Sequence, residues 1–217
     1  EKDTIHGSRD LLILLAILAA VGSAWLSHAV GLSPALGAFI AGLGFDGIEL
    51  PVRPGFQVEP QNVARDLPRA AKLLAEYGLK IMSLAGPADE PTMAACAETG
   101  IPIIRVGAGI GKEAYLATVA HLQGQYDALL PLLARYGVTL GIQNHYGDSV
   151  CNAMGLRHLV EKYDPRQVAV VWDAAHNALC GEWPEYAIDI VWSHLCLVNL
   201  KNAYWLRKNG PEAECAE

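Results

Sequence analysis

An acidic residue and a histidine follow the most strand-like stretch of the chain. Val168–Trp172 are consecutive apolar residues, Asp173 follows them directly, and His176 stands three positions later. An apolar run without alternation predicts a strand buried on both faces, as in a parallel sheet covered by helices. Chemistry in such folds takes place at the carboxyl ends of the strands, so Asp173 and His176 are candidates for one site. The alternative is that Asp173 caps the next helix and His176 is a loop residue with structural partners.

Polar residues also end the other strand-like stretches. They are Glu49, Arg105, Gln143, Asn144, His145, Asn199 and Lys201. Residues that converge from every strand favour a closed barrel with a central mouth, whereas a doubly wound sheet gathers its site at one switch point. We therefore expect a barrel with these side chains around its mouth.

Strand-like and helix-like segments alternate from Gly44 onwards, with glycines after several of the helical segments. The predicted strands are residues 45–52, 79–84, 101–106, 138–142, 168–172 and 194–200, and the predicted helices are residues 62–77, 91–99, 112–136, 151–163 and 184–190. Six strands joined by five helical crossovers predict a parallel α/β array.

Composition excludes some classes of protein. The chain has 217 residues, a formal net charge of −7 and no basic cluster, which argues against nucleic acid as a partner. Its 5 cysteines form no paired pattern and no C-x-x-C motif, so we expect reduced thiols in a cytoplasmic protein.

The N-terminal region is unusually apolar. No Asp, Glu, Lys or Arg occurs from Leu11 to Leu43, and the stretch Leu11–Val30 is long enough to span a bilayer. A buried helix of a soluble core is the alternative. Residues 9–43, "RDLLILLAILAAVGSAWLSHAVGLSPALGAFIAGL", resemble a membrane segment of monovalent cation/proton antiporters. No ion-binding acid of that family lies within the segment, so the resemblance does not imply transport.

Residues 44–202 resemble the sugar phosphate isomerase/epimerase superfamily, the xylose isomerase-like TIM barrels. The segments that carry the resemblance are "GFDGIELPV", "AEYGLKI", "YGVTLGIQNHYG", "VAVVWDAAHNALCGE" and "WSHLCLVNLKNA". The resemblance implies a barrel whose mouth holds a divalent metal, Mn²⁺ or Mg²⁺. A hydroxy-ketone substrate chelates the metal, and a proton moves between adjacent carbons.

The resemblance also implies roles for individual residues. Asp173 occupies the position of the sixth-strand aspartate ligand, Gln143 stands where a glutamate is commonest, and Asn199 stands where a histidine ligand is expected. His176 occupies the position of the histidine that follows this aspartate and would assist at the metal. From their places at strand ends, Glu49 and His145 are candidates for proton transfer or substrate orientation, and Arg105, Asn144 and Lys201 are candidates for substrate binding. The alternatives are a solvated acid at the rim for Glu49, a loop-stabilising role for His145 and an ion pair with a neighbouring acid for Lys201. Because amide oxygens carry no charge, we expect weak metal binding.

These observations predict a partial (β/α)8 TIM barrel of about six β/α units, without the first and eighth strands, in residues 44–217. A hydrophobic helical segment, residues 1–43, precedes it. The predicted function is isomerisation or epimerisation of a small sugar, sugar phosphate or hydroxy-keto acid by metal-assisted proton transfer. The alternatives are a membrane-associated, antiporter-derived fusion and an inactive barrel fragment. Unpaired sheet edges predict a homo-oligomer.

Overall fold

The structure, a computed structural model, describes residues 40–111, 114–207 and 213–216. Strands and helices alternate through most of this length, as the sequence predicts. The strands are β1 (Gly47–Pro51), β2 (Lys80–Ala85), β3 (Ile103–Gly107), β4 (Thr139–Gln143), β5 (Val168–Asp173), β6 (Leu195–Asn199), β7 (Tyr204–Arg207) and β8 (Ala213–Ala216). The helices are α1 (Val63–Ala75), α2 (Glu90–Thr99), α3 (Tyr115–Tyr136), α4 (Ala153–Val160), α5 (Ala174–Leu179) and α6 (Pro184–Val191), with short 3-10 turns at Pro60–Asn62 and Trp192–His194.

The first six strands form one parallel sheet in the order β1-β2-β3-β4-β5-β6, so each strand pairs with its neighbour in the sequence. This order is that of a TIM barrel cut open, and the sheet is a curled half-barrel with its helices outside. The predicted partial barrel is confirmed. All carboxyl ends of these strands lie at one edge, which brings the predicted site residues to the same side of the molecule.

Burial differs between the middle of the sheet and its outer strands. Every residue of β5 is buried, and β4 is buried from Leu140 to Gln143. The core contains Ile104, Leu140 and Val170 of these inner strands, and the inner faces of α1–α4 pack against it. β6 has no fully buried residue. The apolar run that ends in Asp173 is therefore a central strand covered on both faces, as its composition predicts.

The helix ends follow local sequence chemistry. Asp89 accepts a hydrogen bond from the backbone N–H of Thr92 at the start of α2, and Asn152 accepts one from Gly155 at the start of α4. Gly137 ends α3 with a φ of 66°, a left-handed conformation that glycine adopts without steric cost. The helix predicted over residues 151–163 is too long at both ends. Asn152 is the N-cap, so α4 begins at Ala153, and it ends at Val160.

One helix and two strands are absent from the sequence-based prediction. Helix α5 begins directly after Asp173 and is only 6 residues long, too short to show a helical period. Strands β7 and β8 form an antiparallel pair of 4 residues each, separate from the main sheet. Short strands of this kind carry too few residues to show alternation.

The described residues begin with a helical turn at residues 40–42. Ile40 and Ala41 pack against the core of the half-barrel, and the backbone N–H groups of Leu43 and Gly44 donate to their carbonyls. Most of the predicted membrane segment lies outside the described residues. Within the ranges that the structure describes, no helix combines the length and the apolar character needed to cross a membrane.

Candidate active site

A cavity of about 410 Å³ opens at the carboxyl ends of the strands, and we call it the mouth. Every site residue predicted from the sequence lines it, except Asn144. Its lining residues are Glu49, Arg53, Arg105, Gln143, His145, Asp173, His176, Asn199, Leu200 and Lys201. The residues that the sequence places at strand ends therefore lie around one cavity in the structure, as expected for this type of fold. Arg53 and Leu200 are the lining residues that the sequence-based prediction missed.

Glu49 and Arg105 form an ion pair at one side of the mouth. The guanidinium donates from Nε to Glu49 Oε2 at 2.8 Å and from a terminal nitrogen to Oε1 at 2.6 Å. This two-point geometry is the strongest form of an arginine–carboxylate contact. The buried Ser83 hydroxyl also donates to Glu49 Oε2, at 2.9 Å. Both carboxylate oxygens therefore have donors, and the positive charge of Arg105 is neutralised locally.

Gln143 connects the two sides of the mouth. Its side-chain oxygen accepts a hydrogen bond from Arg105, and its Nε2 donates to Asp173 Oδ2 at 2.7 Å. A guanidinium can only donate and a carboxylate can only accept, so these partners fix which way the amide points. The amide of Gln143 consequently turns its N–H group, and not its oxygen, towards Asp173.

Asp173 serves both the helix and the mouth. Its side chain is 1% exposed, and Oδ1 accepts from the backbone N–H groups of Ala175 and His176, each at 3.1 Å. Oδ2 faces Gln143 and also lies 3.7 Å from the ammonium of Lys201. The two interpretations of Asp173 that the sequence leaves open, helix cap and site residue, are compatible because each uses a different oxygen.

Asn144 lies behind the mouth and is 1% exposed. Its Oδ1 accepts from the backbone N–H of Asp173 at 2.7 Å, and its Nδ2 donates to the carbonyl of Asp173 at 3.1 Å. This pair of bonds, which we call the Asn144–Asp173 backbone link, joins the ends of β4 and β5. Because both polar atoms of the Asn144 amide bond to the backbone of Asp173, the structure does not support the predicted contact of Asn144 with a substrate.

Two histidine rings pack against each other at the other side of the mouth, with their planes 39° apart. The centroids of the His145 and His176 rings lie 3.9 Å apart. His145 Nδ1 is 2.7 Å from the carbonyl oxygen of Tyr146, which can only accept, so Nδ1 of a neutral ring carries the hydrogen and Nε2 carries the lone pair. Lys201 Nζ lies 3.1 Å from His176 Nε2, and an ammonium can only donate to it.

The loop that carries His145 is held by backbone contacts with the glycine-rich stretch after β3. The N–H of Ile110 donates to the carbonyl of Asp148, and the N–H of Val150 donates to that of Ala108. The N–H of His145 in turn donates to the carbonyl of Val150. Residues 107–111 thus support the His145 loop through their backbone.

Cys196 lies on β6 beneath the mouth. Its thiol donates to the carbonyl of Val170 at 3.3 Å, and burial raises the pKa of the thiol to about 11. Since the thiolate is the reactive form, Cys196 stays protonated near neutral pH and does not act as a nucleophile.

The donor set of the mouth does not fit a divalent cation. Mg²⁺ and related ions take several oxygen ligands. Asp173 already accepts hydrogen bonds on both oxygens, Gln143 presents N–H to it, and the Lys201 ammonium is a competing positive charge. Among the described residues, no three or more His, Cys, Asp or Glu side chains are placed to hold a metal ion. The ligand roles of Gln143, Asp173 and Asn199 stay predictions, and the hydrogen bonds of Gln143 and Asp173 argue against the roles of these two.

Comparison with known families supports both resemblances. The family model described as xylose isomerase-like TIM barrel matches residues 38–212, which is most of the chain. The model described as sodium/hydrogen exchanger, transmembrane, matches residues 2–61. The two matches overlap, so they do not place the boundary between the two predicted regions at one residue. A comparison with curated proteins gives no significant match.

Solved structures with a similar fold include two epimerases and a probable dehydratase. The 3-keto-D-glucoside 4-epimerase of E. coli is 16% identical, with a TM-score of 0.62 over 76% of this chain and 72% of that one. A D-psicose 3-epimerase is 14% identical, with a TM-score of 0.61 over 76% of this chain and 66% of that one. The probable 3-DHS dehydratase of Bacillus anthracis is 15% identical, with a TM-score of 0.61 over 79% and 69%. Identities this low show a shared fold.

Proposed function

Because the chain belongs to the xylose isomerase-like TIM barrel family, we propose that it is an isomerase or epimerase of a small hydroxy-carbonyl compound. The observation that carries this proposal is the mouth itself. Its lining includes a histidine whose Nε2 carries a lone pair, His145, together with a buried carboxylate, Asp173, and several cations, in one cavity of about 410 Å³. Cavities of this size hold small ligands.

The proposed chemistry is proton transfer at a carbon next to a carbonyl group. His145 Nε2 takes the proton, the C–H electron pair forms a carbon–carbon double bond, and the carbonyl oxygen becomes negative. Isomerisation results when the proton returns to the neighbouring carbon and the proton of the adjacent hydroxyl group moves to the former carbonyl oxygen, so that the adjacent carbon becomes the new carbonyl. Epimerisation results when the proton returns to the opposite face of the same carbon. No oxidant or reductant is consumed. The Glu49–Arg105 pair and Gln143 orient the ligand hydroxyl groups.

Charge in the mouth supports a ligand that carries an anionic group. Arg105 is neutralised by Glu49, and Lys201 lies beside Asp173. Arg53 lines the cavity at its rim and, within the part of the chain that the structure describes, takes part in no ion pair. A guanidinium in this position suits a carboxylate or a phosphate group. Sugar phosphates and hydroxy-keto acids are therefore favoured over neutral sugars as substrates.

Deuterium exchange tests the proposal without requiring the product to be known. The protein is incubated in D₂O with D-fructose, D-fructose 6-phosphate or hydroxypyruvate, and loss of the proton next to the carbonyl is followed by NMR. We expect catalysed exchange in the wild-type protein and a loss of about 100-fold or more in His145→Gln, the usual effect of removing a general base. His121→Gln, an exposed histidine on α3, is the matched control. Uncatalysed rates with all three compounds would contradict the proposal.

Membrane association through residues 11–43 and a cytoplasmic location both stay predictions. The match of residues 2–61 to a transmembrane family supports the prediction of membrane association. Flotation with liposomes should separate the full chain from a version that begins at residue 40, which keeps the core contacts of Ile40 and Ala41. Equal flotation of both proteins would contradict a membrane role for the segment.

A further inference from the structure

The mouth contains a positive charge directly beside its buried carboxylate. Lys201 Nζ lies 3.7 Å from Asp173 Oδ2 and 3.1 Å from His176 Nε2. The Asp173 side chain is 1% exposed, whereas that of Lys201 is 39% exposed and lines the cavity. The ammonium thus approaches the buried carboxylate from the solvent-exposed side of the mouth.

The surroundings of Asp173 favour a monovalent cation over a divalent one. One carboxylate carries one negative charge, and the Lys201 ammonium balances it. A divalent ion at the same carboxylate would leave an excess of positive charge next to Lys201, at separations where charges interact strongly. Gln143 cannot add an oxygen ligand, because Arg105 holds its oxygen and its N–H group faces Asp173. The same hydrogen bonds that disfavour a metal ion hold Asp173 in place for Lys201.

We propose that the Lys201 ammonium takes the place of a divalent metal ion in this mouth and binds the carbonyl oxygen of the ligand. This inference rests on the proposed function. An ammonium is a compact charge with three N–H donors, so it can contact Asp173 and a ligand oxygen together. When a base removes the neighbouring proton, the electron pair moves onto that oxygen, and the positive charge beside it stabilises the negative charge that develops. The charge disappears when the proton returns to carbon.

Calorimetric titration with Mn²⁺ tests the inference on the full chain, independently of any substrate. We expect no binding to the wild-type protein at millimolar Mn²⁺ and weak binding to Lys201→Gln. The double variant Gln143→Glu, Lys201→Gln should bind Mn²⁺ at least tenfold more tightly than Lys201→Gln, because it has a second carboxylate and no ammonium. Lys201→Arg keeps the charge and should still exclude the ion. Lys80→Gln, at the opposite end of β2, should behave as wild type.

Two titration results would overturn the inference. One is Mn²⁺ binding to the wild-type protein that is lost in Asp173→Asn. The other is a double variant that melts like wild type and still binds no Mn²⁺. If deuterium exchange is found, it gives a further test with substrate. Exchange by the wild-type protein should persist in EDTA and should be lost in Lys201→Gln. Loss of wild-type exchange on EDTA treatment would also overturn the inference. Absence of exchange would remove the proposed function, while the titrations would still decide whether the ammonium excludes the metal.

Discussion

The two carboxylates of the mouth, Glu49 and Asp173, are stabilised in different ways. Glu49 is on the outer strand β1, its side chain is 30% exposed, and Arg105 pairs with both of its oxygens. Asp173 is on the inner strand β5, is 1% exposed, and is held by two backbone N–H groups, one amide and an ammonium at 3.7 Å. Glu49 is neutralised by one strong partner, whereas Asp173 is held by several weaker ones and keeps a charge that a ligand or Lys201 can use.

The largest expected effect is that of removing the Asp173 carboxylate. Asp173→Ala removes the cap of α5 and leaves the Gln143 amide without its acceptor, so we expect a loss of about 2–4 kcal/mol in the free energy of unfolding. Asp173→Asn keeps an oxygen for the cap, and about 1–2 kcal/mol is expected. Urea denaturation measures both.

Asn152→Ala is the matched control for that prediction, because Asn152 caps α4 outside the mouth. Loss of a cap alone costs about 1 kcal/mol. If Asp173→Ala lowered the free energy of unfolding by no more than Asn152→Ala does, the contacts of Asp173 in the mouth would not contribute to stability. The contrast with Glu49 would then be lost.

A smaller effect is expected for the Glu49–Arg105 pair, since water reaches both side chains. Arg105→Met should lower the free energy of unfolding by about 1–2 kcal/mol, and Glu49→Gln by less. In a double-mutant cycle the coupling energy between the two should be about 1 kcal/mol. Additive effects of the two substitutions would mean that the pair is not formed in solution.

The smallest of these effects concerns Ser83. Its hydroxyl is buried and donates to Glu49 at 2.9 Å, so Ser83→Ala should cost about 1 kcal/mol in the wild-type background. In a Glu49→Gln background the cost should shrink, because the charged acceptor is gone. An equal cost in both backgrounds would show that the hydroxyl matters only through packing.

Much of the fold could be predicted from the sequence because the strands are short apolar runs that end in polar residues. The residues Gln143, Asp173 and Lys201 were placed at one edge of the sheet from that pattern alone, and the structure brings them together. Arg53 was missed because it lies two residues after β1, in a turn that contains Pro54 and Gly55. Lys201 also lies two residues after its strand, so allowing that offset would have found Arg53.

Other features could not be predicted because they depend on contacts between distant residues. The Asn144–Asp173 backbone link needs the register of β4 against β5, which the sequence does not give. The direction of the Gln143 amide depends on Arg105, 38 residues away in the chain. The sequence also posed helix cap and site residue as alternatives for Asp173, whereas a carboxylate has two oxygens and can do both.

The position of each strand in the sheet has a consequence for how the mouth moves. β4 and β5 have partners on both sides, whereas β1 and β6 each have one within the described sheet. Local opening begins where few contacts must break, so the outer strands should exchange their amide hydrogens faster than the inner ones. Glu49 and Asn199 lie on these outer strands, and Gln143 and Asp173 lie on the inner ones. The width of the mouth should therefore change through movements of its outer strands. The residues around the buried carboxylate should keep their positions relative to a bound ligand.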